Sequence, residues 1–142
     1  MSEGETPTHG LLDTNTVILL TRLRDPQQLP AVPAISTVSL AELSVGPLVA
    51  TTERERAARQ AHLQQAEADF EPISFGAAAA RAFGQVAADL RRSGRKTSAR
   101  AYDALIAATA IANGLPLYTV NPDDYVGIGD LKVVAVAHPD SG

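Results

Sequence analysis

The chain has 142 residues, of which 45% are hydrophobic, 20% charged and 4% aromatic, with a formal net charge of -4 and no cysteine. That length and apolar content suit one globular domain and exclude a disordered chain, and the absence of cysteine excludes disulfide frameworks and thiolate zinc sites. The negative balance excludes a protein that grips nucleic acid by bulk charge, although acids gathered in one site would lose much of their charge to divalent cations.

The opening MSEGETPTHG is polar and acidic, unlike a secretory signal, and no apolar stretch approaches the roughly 20 residues that span a bilayer. A soluble cytoplasmic protein is expected. Residues 1–9 read as a flexible arm, 10–137 as the domain and 138–142 as a tail. Gly10-Leu11-Leu12-Asp13 is an apolar run meeting a carboxylate, as at the end of a buried strand. Thr14 or Asn15 can cap a helix through Val17, Ile18, Leu19, Leu20 and Leu23. Residues 25–33, with three prolines, form a loop.

Residues 34–38 predict the second strand. Ser39 can cap the next helix, with Glu42 in capping-box position and an interruption at Gly46-Pro47. Residues 52–69 form a polar helix, 71–75 a weak short strand and 76–92 another helix. Arg91 to Lys96 is a basic loop. Thr97 or Ser98 opens a helix through Ala101, Leu105, Ile106, Ala108 and Ile111, which Asn113-Gly114 closes. Residues 115–120 are a strand, 121–125 a turn with a short helix, and 132–136 the final strand. Strands alternating with helices imply a parallel sheet covered on both faces, with ligands beyond the carboxyl ends of its strands.

That rule gives the acids their meaning. Asp13 ends the first strand, Glu42 follows the second by a helical turn, Asp103 lies one turn into a helix facing the same edge, and Asp124 follows the strand at 115–120. Converging carboxylates repel, so they take up protons or a cation. His9, His62 and His138 have no ligand spacing, so any metal is a hard one held by oxygen, Mg2+ or Mn2+. Each acid also has a local role open to it. Asp13, Asp123 and Asp124 can be helix caps, and Glu42 can serve Ser39. Asp103 stands out because it interrupts an otherwise apolar helix.

LLDTN at 11–15, STVSLAEL at 36–43 and YDALIAATAIANGLPLYTVNPDDY at 102–125 occur in an order and spacing that resemble the PIN-domain ribonucleases, most closely the VapC-type toxins. The resemblance covers residues 10–137. It implies a three-layer α/β/α sandwich around a mainly parallel five-stranded sheet, and an endoribonuclease in which metal-activated water attacks the phosphodiester. It also implies an antitoxin partner and a homodimer. Carried over, Asp13, Glu42, Asp103 and Asp124 are the metal-binding, catalytic acids. Asn15, Thr119 and Asn121 are polar groups that orient Asp13, water or phosphate, and Asn121 stands where many relatives have Asp.

Arg91, Arg92, Arg95, Lys96 and Arg100 place five of 12 basic residues within ten positions. A solvated loop is one reading; a contact to RNA phosphates beside Asp103 is the other. The first helix can line a groove for an amphipathic antitoxin segment. Two other functions compete: a non-catalytic PIN-like module that binds protein or RNA, and a phosphoacceptor domain. The second lacks a suitably placed lysine.

Overall fold

The computed structural model describes residues 7–95 and 100–140. Strand β1, His9–Leu12, pairs in parallel with β2, Val32–Ala34, and β3, Leu117–Thr119; β3 pairs in parallel with β4, Val133–Ala135. The order is β2-β1-β3-β4. Around it lie α1 (Thr14–Ile18), α2 (Thr37–Val49), α3 (Glu53–Asp69), α4 (Ala77–Arg92) and α5 (Ala101–Ala112).

Alternation along the strands sorts two cores. Leu11, Ala34, Leu117 and Val133 pack with α4 and α5 through Val86, Leu90, Ile106 and Ala110. Their chain neighbours Leu12, Ile35, Tyr118 and Val134 turn to the other face, against Val17, Leu43 and Ala66. Gly10 lies so close to the Tyr118 ring that a Cβ would collide with it. Gly114, at φ 64, closes α5 by letting Leu115 N–H reach the Ala110 carbonyl at 3.0 Å.

Several expectations shift. Four strands are present among the described residues, where five were expected. The segment 71–75 contributes one bridge, Ser36 to Ile73, in which the Ile73 N–H donates to the Ile35 carbonyl and the Ile73 carbonyl accepts from Thr37 N–H. The second strand begins at Val32 and includes Pro33, which the edge position of β2 tolerates. The first strand begins at His9, inside the expected arm. Helix α1 is capped by Asp13 and stops at Ile18, giving way to a 3-10 turn at Leu20–Arg22.

Ser36 caps α2 by accepting from Ser39 N–H, so Ser39 lies within the helix and the expected box with Glu42 does not form. Helix α2 also continues through Gly46-Pro47. Pro47 falls in its last turn, where Arg59 of α3 donates to the Gly46 carbonyl at 2.9 Å. Thr97 and Ser98, expected to open α5, lie outside the described residues. Among the described residues no helix is long and apolar enough to cross a membrane.

Candidate active site

The carboxyl ends of β1 and β3 bring Asp13 and Thr119 together. Asp13 is buried, and its first oxygen caps α1, accepting from Thr16 N–H at 3.2 Å and Thr16 Oγ1 at 2.5 Å. Its second oxygen accepts from Thr119 Oγ1 at 2.7 Å and from the Tyr125 hydroxyl at 3.1 Å. One carboxylate thus joins β1, α1, β3 and the 3-10 turn Pro122–Tyr125. The cap uses one oxygen of Asp13, and the Thr119 and Tyr125 hydroxyls use the other.

Glu42 projects from the second turn of α2 and accepts from Thr14 Oγ1 at 2.6 Å. Ser39 Oγ lies 3.0 Å from the same threonine oxygen. Burial raises the Glu42 pKa, with Asp13 adding to it and the Thr14 bond opposing it. Asp103, in the first turn of α5, lies 3.4 Å from the Tyr125 hydroxyl. Burial, then the negative charges of Asp124, Asp13 and Glu42, push Asp103 up to about 6. All four expected acids therefore share one field at the carboxyl edge of the sheet.

Asp124 is half-buried and accepts from Arg100 Nη1 at 2.5 Å; Arg100 Nη1 is also 3.8 Å from Asp103 Oδ2. Asp123 is exposed and presents only its backbone carbonyl, to Arg95 Nη2 at 2.7 Å. Asn121 N–H donates to Thr119 Oγ1 at 2.9 Å. Asn15 is exposed and, with Thr14 and Glu42, lines a depression of about 260 Å³ that continues to His62 and Arg59.

The expected basic surface divides. Arg91 is exposed, Arg92 pairs with Asp89, Arg95 holds the Asp123 carbonyl, and Arg100 lies among the acids. Lys96 lies outside the described residues. Tyr125, Thr14 and Thr16 were missed as contributors. The aromatic after Asp124 is legible only as part of the 102–125 motif, and hydroxyls next to a strand-end Asp carry no separate signal in sequence.

The donor set, all carboxylate and hydroxyl oxygen, suits a hard divalent cation. A bound cation would offset both the burial of Asp103 and the repulsion from its acidic neighbours, which together raise it. Among the described residues no three acids or imidazoles already form a closed cage. Thr14 holds one oxygen of Glu42, Arg100 holds one oxygen of Asp124, and the Thr16 N–H with the Thr16, Thr119 and Tyr125 hydroxyls take both oxygens of Asp13.

A short parallel sheet between helical layers, with acids gathered from the end of β1, from α2 and α5 and from the turn after β3, defines a class of protein. A family model for the PIN domain matches residues 11–125, and the chain belongs to the PIN-domain family. Among individual proteins, Ribonuclease VapC5 of Mycobacterium tuberculosis is 38% identical over 92% of this chain and 96% of its own length. Ribonuclease VapC4 of the same organism is 32% identical over 89% and 96%. The solved structure of VapBC-5, a member of the VapBC family of toxin-antitoxin systems from that organism, matches with a TM-score of 0.77 and 34% identity, covering 92% of this chain and 100% of that one. The resemblance drawn from the motifs is therefore correct, as is the α/β fold with helices on both sides of a parallel sheet.

Proposed function

We propose that this chain is a Mg2+- or Mn2+-dependent endoribonuclease and the toxin of a toxin–antitoxin pair. The observation that carries this reading is the gathering of Asp13, Glu42, Asp103 and Asp124 at the carboxyl edge of the sheet, where burial first and then the charges of the other three raise Asp103 to about 6. The relatives named as ribonucleases support RNA as the substrate, and the VapBC-5 structure supports an antitoxin partner. The four acids would hold the cation, which supplies an activated water and offsets charge building on the phosphoryl group. Thr16, Thr119 and Tyr125 fix the orientation of Asp13, Thr14 fixes Glu42, and Asn15 at the open rim meets the RNA backbone. Arg95, which donates to the Asp123 carbonyl, is the member of the 91–95 basic run that adjoins the acidic turn.

A second groove, of about 220 Å³ between α1 and α3 and lined by Val17, Ile18, Leu20, Ala66 and Phe70, is the surface this reading gives to an amphipathic antitoxin segment. We also take the working toxin to be a homodimer acting in the cytoplasm, where it inhibits translation and growth. The test is cleavage of a mixed RNA pool with Mg2+ or Mn2+, comparing wild type with Asp13→Asn and Asp103→Asn. Metal-dependent cutting lost in both folded variants is expected. Cutting that persists in both would remove the acids from the chemistry. No cutting together with no metal-induced gain in Tm would favour a non-catalytic binding module.

A further inference from the structure

The basic run at 91–100 invites a reading as a phosphate-facing surface, yet Arg100 is turned inward. Its Nη1 donates to Asp124 at 2.5 Å and stands 3.8 Å from Asp103. Its side chain is 37% exposed, so it has an open path to solvent. It occupies the position before α5 without making a side-chain cap, at a helix end whose dipole disfavours positive charge. The acids are what offset that placement.

We propose that Arg100 is a built-in counterion that must release Asp124 before a divalent cation is held there, so that the chain's own guanidinium sets the metal affinity of the site. This rests on the metal-binding reading of the four acids. A guanidinium stays charged at any working pH, so deprotonation of Arg100 does not free Asp124, whereas a competing cation can. A divalent ion brings twice the charge to the same oxygens, and the displaced arginine swings to the rim. Metal uptake is therefore an exchange of one cation for another. It accounts for why the acids share a field without forming a closed cage among the described residues.

The experiment is Mn2+ binding to the full chain, followed by the electron paramagnetic resonance signal of free Mn2+, for wild type, Arg100→Gln and Arg100→Lys. Melting of each protein is recorded with and without Mn2+. Arg100→Gln is expected to bind Mn2+ roughly fivefold more tightly, the change that one partly exposed ion pair supports. Its metal-free Tm is expected to fall and its Mn2+-induced rise in Tm to grow. Arg100→Lys, which keeps charge but loses the planar fork, should fall between and serves if the glutamine variant does not fold. Equal affinity in all three proteins overturns the role of Arg100 while leaving the acidic site standing. Weaker binding in Arg100→Gln overturns it too, by making Arg100 a support of the loaded site. Binding by none of them removes the metal reading and this proposal with it.

Discussion

Tyr125 is 2% exposed, and its hydroxyl faces two carboxylates. Burial and the negative charges of Asp13 and Asp103 raise its pKa, so it remains a donor throughout the working range. Tyr125→Phe keeps the ring in the core and removes that donor. It is expected to cost about 1 kcal/mol of stability by urea titration and to lower metal-dependent cleavage roughly tenfold. Asp103 gives a pH prediction whose sign follows from its raised pKa. In the unfolded chain it ionises near 3.8, and in the metal-free fold near 6. Its favourable contribution is therefore complete below pH 4 and is lost as pH rises through about 6. Asp103→Asn should raise the metal-free Tm at pH 8 and change it little at pH 4. Because protons and metal compete for this carboxylate, the acid limb of RNA cleavage should lie near pH 6 at low metal and move downward as metal is added. A limb that ignores metal concentration would disconnect Asp103 from the cation.

Helix α2 sets the position of Glu42, and its start is fixed by Ser36, not by Ser39. Ser36 is fully buried and bonds to Ser39 N–H at 3.1 Å. Ser36→Ala should cost about 1 kcal/mol in thermal or urea unfolding, the usual worth of such a cap. Ser39→Ala leaves the cap in place and disturbs Thr14 instead, so its larger effect should be on cleavage. A greater stability loss from Ser39→Ala would reverse this assignment. The sequence S-T-V-S-L-A-E offers both serines as caps, and local spacing favours the pair Ser39 and Glu42. What decides is the bridge to Ile73: its carbonyl accepts from Thr37 N–H at 2.9 Å, and its N–H donates to the Ile35 carbonyl at 2.8 Å. Those bonds keep the chain extended up to Ser36, a partner 37 residues away that no local pattern reveals. Pro33 is a similar case, since its acceptability in β2 depends on which strand is at the edge.

Across the whole molecule, Asp89 ties α4 to the loop before β4, accepting from Gly129 N–H at 3.0 Å and Gln85 Nε2 at 2.9 Å and pairing with Arg92. The Gly129 N–H bond, then Gln85, holds its pKa below the usual carboxylate value. A lowered pKa stabilises the fold above about pH 4 and loses that effect as pH falls through the folded-state value. Asp89→Asn should therefore lower the urea midpoint at pH 7 and narrow the difference between pH 7 and pH 3. An unchanged midpoint at pH 7 would show that the tie carries no stability. The alternation of Leu11 with Leu12 and of Leu117 with Tyr118, the Ala-rich α5, its Asn113-Gly114 stop and the strand-end Asp13 are local patterns. By itself the sequence determined the α/β class, the order of the main helices and strands, and which acids sit beside strand ends, because periodicity and residue chemistry are written in neighbouring positions. Only the tertiary structure decided that Tyr125 and Thr119 share Asp13, that Arg100 leaves its basic run for Asp124, and that Ser36 begins α2. Each of those is a contact between residues distant in the chain or competing at one terminus, and the sheet's register selects the partner.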